Sequence, residues 1–336
     1  MDGQNKKTTL GQFFTKSDVW LKDHILQFIC DSKCEIAYDP FAGAGDLLKV
    51  AATIGLGTVG LDIDSTLGWQ INDSLLSIPK CEGAIIITNP PYLAKQSATR
   101  QKIDYSLYFD KSDYDDVYLI ALDNMLRAHK FVVAIIPESF LNSNFRQKQL
   151  LHSVTVLEEN PFDDTENPVC VACFDGVIKS LEEVLIYKNN EYIGTLKFFE
   201  KCRLVPKNNL KVVFNSKQGW LALRAIDSSK KDNAIKFCFK NELNYDWENK
   251  IKMSSRHITL IDVDIEGINK KTFIDVANEI LNDLRTKTKD IILTPFKGNT
   301  REGVRRRRLD FKLARAILES AFEKLKGDTY EQLRLF

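Results

Sequence analysis

The chain has 336 residues, 44% of them hydrophobic, with 47 Lys and Arg against 46 Asp and Glu for a formal net charge of +1. That length admits one large domain, or a medium domain followed by a smaller one, with ample material for a core. No apolar run approaches the roughly 18 residues of a membrane-spanning helix, and the opening "MDGQNKKTTLGQ" has no apolar stretch of the signal-peptide kind.

A cytoplasmic location is therefore expected, with no membrane partner. The seven cysteines are scattered. The nearest pairs, Cys30/Cys34 and Cys170/Cys173, lack the second pair and downstream ligands of a metal site. They read as small hydrophobes, and no metal is expected. The overall charge hides an asymmetry. Residues 1–178 hold 15 basic and 24 acidic side chains, a net −9, and residues 179–336 carry +10. A basic half commonly meets nucleic acid.

In chain order, "EIAYDP" reads as a first strand running into a glycine turn. "DLLKVAATIG" follows as a helix, with Asp46 at its cap and Gly55 as its stop. "TVGLDID", "LGWQIND" and "GAIIITN" read as the second, third and fourth strands. "YDDVYLIALDNMLRAHK" reads as a helix, "FVVAIIP" as a fifth strand and "FRQKQLLH" as another helix. "SVTVLEEN" and "PVCVACFDG" close the series as strands. Such alternation predicts an α/β fold, a mostly parallel sheet wrapped by helices. Beyond about Gly176 the pattern changes. "LEEVLIYKNNEYIGTLKFF" reads as a hairpin turning near Asn189 and Asn190, and helices are expected over 269–286 and 310–326. The division expected is a first domain over 1–180 and a second over 181–336, with the boundary near 178–190.

Ligands of such sheets bind beyond the carboxyl ends of the strands. After the first strand comes "DPFAGAGD", where Gly43 and Gly45 let the backbone bend and approach a ligand. The full G-x-G-x-x-G spacing is absent. Asp39 has no basic neighbour in this stretch, so it suits a ligand ammonium better than a phosphate. The second strand ends in Asp62, about twenty residues on, where an acid can accept from ribose hydroxyls; Asp64 is the alternative. Together these turns point to an adenosine with an amino-acid tail, S-adenosylmethionine.

The fourth strand ends in "NPPY". Proline fixes its own φ and has no N–H, and it holds the preceding residue extended. Asn89, Pro90 and Pro91 thus form a stiff turn offering two acceptors, the Asn89 side-chain oxygen and the Pro90 carbonyl. Two acceptors can draw the hydrogens of an adenine amino group out of plane and free its lone pair for a sulfonium methyl. Tyr92 offers an aromatic face to a base.

These motifs resemble the gamma-class N6-adenine DNA methyltransferases of restriction-modification systems, over roughly residues 10–176. The resemblance implies a Rossmann-like S-adenosylmethionine-dependent methyltransferase sheet with a smaller, basic C-terminal DNA-recognition domain. It implies site-specific transfer of a methyl group to a flipped-out adenine in double-stranded DNA, and a restriction endonuclease acting on the same site. "GQFFTK" is similar to the family's G-x-x-x-T-P segment, with Lys16 in place of proline, which puts Phe13, Phe14 and Thr15 beside the methionine part of the cofactor. Asp39, Gly43, Gly45 and Asp62 carry over. Asp73, sixteen residues before the Asn-Pro-Pro-Tyr motif, takes the adenine-ring position. "ENPFDDTENPVCVACF" resembles the segment supplying a second aromatic, Phe162.

In the basic half, Arg305, Arg306, Arg307 and Arg308 stand just before an expected helix whose positive end repels them, an arrangement that suits phosphates lying across it. The rival readings are methylation of a ribosomal RNA adenine or of a protein glutamine amide at the same motif. A DNA-binding protein without catalysis would have little reason to keep the complete Asn89–Tyr92 set.

Overall fold

The computed structural model describes residues 17–162, 167–229, 234–301 and 303–333. The segment with Phe13, Phe14 and Thr15 lies outside the described residues. The chain divides into two compact units, 1–197 and 198–336.

The first unit is built on a nine-stranded sheet of order β3-β2-β1-β4-β5-β7-β6-β8-β9. Its strands are β1 (Ile36–Asp39), β2 (Gly57–Asp62), β3 (Gln70–Ile71), β4 (Ala84–Thr88), β5 (Val132–Pro137), β6 (Leu151–Val156), β7 (Val169–Phe174), β8 (Leu185–Lys188) and β9 (Glu191–Thr195). Strands β1 to β5 all pair in parallel, and β7 runs antiparallel between β5 and β6. The strand order reverses direction between β1 and β4, the switch point at which doubly wound sheets bind ligands. β4 and β7 are buried along their whole length, as is β5 up to Pro137. This is why they read as unbroken apolar runs rather than alternating ones. Helices Asp23–Asp31 and Asp46–Thr53 bury Ile25, Phe28, Leu47 and Leu48 against Ala37, Ile85 and Ile87 on one face of the sheet. The β7 cysteines Cys170 and Cys173 are buried and unpaired, and burial pushes both thiols up, Cys173 to about 12.

Three local expectations are corrected. The helix expected over "FRQKQLLH" is a single tight turn, Lys148–Leu150, and Leu151 already opens β6. Pairing of β6 with both β7 and β8 recruits those residues into the ladder. Asp46 is not the cap. Gly45, at φ +77°, takes that position, and Asp46 is the first helical residue, its carboxylate 3.0 Å from Lys49 Nζ. The expected hairpin exists as β8 and β9, with Asn189 left-handed at φ +50°, but β8 adds to β6 in parallel. It therefore belongs to the first unit, which ends at Lys197 rather than at residue 180.

The second unit has an antiparallel sheet of order β10-β13-β11-β12: β10 (Val212–Phe214), β11 (Leu221–Arg224), β12 (Lys236–Phe239) and β13 (Ile258–Val263). Its core joins Leu221, Leu223, Phe237 and Ile261 to the apolar stripes of helices Lys270–Lys287 and Phe311–Leu333. Asn269 caps the first of these, accepting from the amides of Lys271 and Thr272. A two-stranded ribbon, β14 (Thr294–Asn299) with β15 (Arg305–Arg308), completes the unit.

The arginine run is thus a strand, not a basic approach to a helix. Arg305 and Arg307 are buried, at 4% and 1% exposure, while Arg306 and Arg308 are half-buried. Strand alternation sends every second side chain inward, so the expectation of four phosphate-facing arginines fails for Arg305 and Arg307.

Candidate active site

The first unit gathers the expected site residues at the carboxyl ends of β1, β2 and β4. Asp39, the last residue of β1, is buried. Its Oδ1 accepts from Thr88 Oγ1 at 2.6 Å and from the Phe41 amide at 3.0 Å. Both bonds fall on Oδ1, so Oδ2 keeps its acceptor capacity. Burial pushes this carboxyl up to about 7 against the pull of those two bonds, and the nearby Asp62 charge adds to the rise. A carboxylate so placed gains from a ligand cation. Thr88, which ties β1 to the foot of the Asn-Pro-Pro turn, carried no signal in the sequence.

Asp62 is buried at the end of β2. Its Oδ2 accepts from the Gly43 amide at 2.8 Å and its Oδ1 from the Asp64 amide at 2.9 Å. A carboxylate has about four lone-pair sites, so capacity remains for hydroxyls. Asp64 Oδ1 is taken up by the amide and hydroxyl of Thr66, so Asp64 serves the following turn. Gly43 and Gly45 are both left-handed, at φ +52° and +77°.

Trp69 was missed. Its indole Nε1 donates to the Gly43 carbonyl at 2.8 Å, and its ring lies on Gly45 and Gly60. A Cβ on Gly60 would stand 2.6 Å from Cε3, and one on Gly45 would stand 2.8 Å from Cζ2. Glycine inside a strand is a signal of such close approach, and Gly60 was that signal. Asp73 accepts from the Tyr108 hydroxyl at 2.9 Å and from the Leu75 amide at 3.1 Å. Tyr108 comes from the segment after the Asn-Pro-Pro turn, and no local pattern announced it.

Asn89 follows β4 directly. The Tyr92 hydroxyl is hydrogen-bonded to Asn89 Oδ1 and, at 2.7 Å, to the Ile135 carbonyl on β5. A phenol has one hydrogen, so it serves one of these acceptors at a time and can leave Asn89 Oδ1 to another donor. Burial holds the Tyr92 phenol well above its usual range, hence neutral. The Pro90 carbonyl accepts no hydrogen bond among the described residues. The Tyr92 ring meets Tyr118 edge-on, with centroids 6.3 Å apart, and the buried Phe162 at 6.4 Å. Phe162, seventy residues on in sequence, thus joins Asn89 and Tyr92 in one cluster. Arg305–Arg308 belong to the other unit.

An S-adenosylmethionine molecule fits this donor set. Asp39 Oδ2 offers an anionic partner for its ammonium, Asp62 offers acceptors for ribose hydroxyls, and Gly43, whose side is open, offers close backbone approach, while Gly45 is covered by Trp69. Among the described residues, no group of three or more His, Cys, Asp or Glu side chains could hold a metal ion, and no helix is long and apolar enough to cross a membrane.

No protein-family model and no curated protein matches the chain. Among solved structures, 59% of the chain aligns with the methyltransferase subunit of a type I restriction-modification system from Streptococcus thermophilus, at 15% identity and a TM-score of 0.34. The match spans 55% of that subunit. A candidate RNA methyltransferase from Pyrococcus horikoshii aligns over its whole length with 54% of the chain, at 17% identity and a TM-score of 0.30. Both scores are too low for a shared fold to follow from them. The strand order and the site geometry stand on this chain alone.

Proposed function

We propose that this chain is an S-adenosylmethionine-dependent N6-adenine methyltransferase acting on double-stranded DNA. The observation that carries the reading is the Asn89–Tyr92 turn at the sheet's switch point. There an amide oxygen and a proline carbonyl that accepts no hydrogen bond among the described residues stand beside a neutral tyrosine, and Thr88 hydrogen-bonds the buried Asp39. S-Adenosylmethionine, when bound, supplies an electrophilic methyl group. The residues of this chain do the rest. Asp39 and Asp62 hold the ammonium and the ribose. Asn89 Oδ1 and the Pro90 carbonyl accept the two hydrogens of the exocyclic amine and turn its lone pair toward the methyl. Tyr92, backed by the buried Phe162, forms the aromatic wall for the base, and Tyr92 directs its own hydrogen to Ile135 while Asn89 is engaged. The amine needs no base before attack, because its extra proton leaves after transfer. The target must leave the duplex, since its amino group is otherwise paired.

The test is incubation of the purified chain with genomic DNA and labelled S-adenosylmethionine, followed by mapping of modified adenines. Methylation at one recurrent sequence is expected. Asn89→Ala should lower turnover by about 100-fold or more, the scale seen when one preorganised hydrogen-bond partner of a transition state is removed, with cofactor affinity largely kept. Label appearing in ribosomal RNA or in a protein glutamine, and none in DNA, would replace the DNA reading with one of its rivals.

A further inference from the structure

We propose that the second unit grips the DNA phosphate backbone through two arginines held over phenylalanine rings, Arg256 over Phe311 and Arg306 over Phe296. This surface rests on the DNA reading above and takes the place of the arginine run as a whole.

The guanidinium of Arg256 lies 5.0 Å from the Phe311 ring centroid, and that of Arg306 lies 4.9 Å from Phe296. Phe311 is itself stacked on Phe214, with centroids 4.3 Å apart and planes within 8°. His257, next to Arg256, meets Phe296 edge-on at 5.7 Å, which links the two supports. Each supporting phenylalanine is followed by an exposed lysine, Lys297 or Lys312.

Their lack of an ion pair sets these two apart from three other arginines of the unit, and the aromatic support sets them apart from the remaining unpaired ones. Arg203, Arg285 and Arg315 each lie within salt-bridge distance of a carboxylate. Arg256 and Arg306 have no carboxylate partner among the described residues. One edge of each is held by backbone carbonyls. Arg256 Nη1 donates to Met253 and Ser255 at 3.2 and 3.0 Å, and Arg306 Nε donates to Asp227 at 2.8 Å. Among the described residues, Nη2 of Arg256 and both Nη atoms of Arg306 donate no hydrogen bond. A guanidinium fixed on one edge by backbone carbonyls and held over an aromatic ring has little freedom left to lose on binding. Its planar fork matches a phosphate. An aromatic support also leaves the charge uncancelled, unlike an ion pair, and the half of the chain that holds both residues carries a net +10. Anchoring to the backbone keeps these heads close to the protein surface. That suits a phosphate track rather than base edges deep in a groove.

The experiment is a salt titration of the full chain binding a short, labelled duplex of mixed sequence, repeated on a second unrelated duplex. Arg256→Gln and Arg306→Gln should each reduce the slope of log affinity against log salt by about 0.9, so that the affinity ratio between 50 and 200 mM salt shrinks about 3.5-fold per variant. The loss should be equal on both duplexes. Phe296→Leu and Phe311→Leu, which keep the charge and remove the platform, should weaken binding without changing the slope. Lys271→Gln, whose lysine is paired with Asp275, should change neither quantity. Circular dichroism melts confirm that each variant is folded. If the parent binds duplex with an unchanged slope in both arginine variants, the surface is wrong and the DNA reading survives. A loss confined to one duplex would make the contacts base-reading and overturn the phosphate assignment. No binding of the parent at low salt would remove the DNA reading and the surface together.

Discussion

Asp39→Asn separates what the site costs the fold from what it gains on binding. In the folded chain the Asp39 carboxyl is pushed up to about 7 by complete burial, against an ordinary value of 3.8. A raised carboxyl has the opposite sign from a salt-bridged one. Between about pH 4 and 7 the folded protein keeps a proton that the unfolded chain releases, so stability falls as pH rises through that window and levels off above it. Three pKa units correspond to about 4 kcal/mol. Asparagine keeps the Oδ1 that accepts from Thr88 and Phe41 and carries no charge. The variant should therefore match the parent near pH 4 and exceed it by up to about 4 kcal/mol at pH 8, read from denaturant unfolding across that range. The same change should weaken S-adenosylmethionine by about 1.5–3 kcal/mol, the worth of a hydrogen bond to a charged group. A bound ammonium also pulls the Asp39 carboxyl back down. Titration calorimetry at pH 6.5 in buffers of different ionisation heat should then show proton release for the parent and none for the variant. A stability difference between variant and parent that stays flat from pH 4 to 8 would refute the reasoning.

Asp62→Ala should weaken S-adenosylmethionine by about 1–3 kcal/mol and also lower the melting temperature, because the Gly43 and Asp64 amides lose their acceptor. Gly60→Ala should destabilise by about 1–3 kcal/mol through overpacking against Trp69. Combining it with Trp69→Ala should recover part of that loss, a coupling that a double-mutant cycle measures. His24, stacked on Tyr187 and hydrogen-bonded to Thr155, is pushed down to about 4 by burial. Its folded pKa is depressed, so the stability it confers is complete above about pH 6.5 and is lost as pH falls toward 4. His24→Gln should flatten the fall in melting temperature over that range.

Sequence alone determined the elements whose signal is local. "AIIIT" is too apolar and too β-branched to be anything but a buried strand, and two prolines leave Asn89 one backbone geometry. Asp39 and Asp62 were readable because strand ends in a doubly wound sheet are where ligands go, whatever the rest of the chain does. Tyr92 was readable from the Asn-Pro-Pro-Tyr turn itself and Phe162 only by resemblance, and the tertiary structure brings the two rings within 6.4 Å. Partners that meet only through strand pairing stayed hidden. Thr88 meets Asp39 because β4 adds beside β1, and Tyr108 meets Asp73 across a loop with no periodicity. The hairpin at Asn189 was visible, but its membership in the first unit was decided by β8 choosing β6 as its neighbour. The arginine run is the clearest case. Four identical residues have no hydropathy period, so nothing in "RRRR" says which two turn inward. The register with β14, which sets Thr294 opposite Arg308 and Pro295 opposite Arg307, buries Arg305 and Arg307 and leaves Arg306 on the face with Phe296.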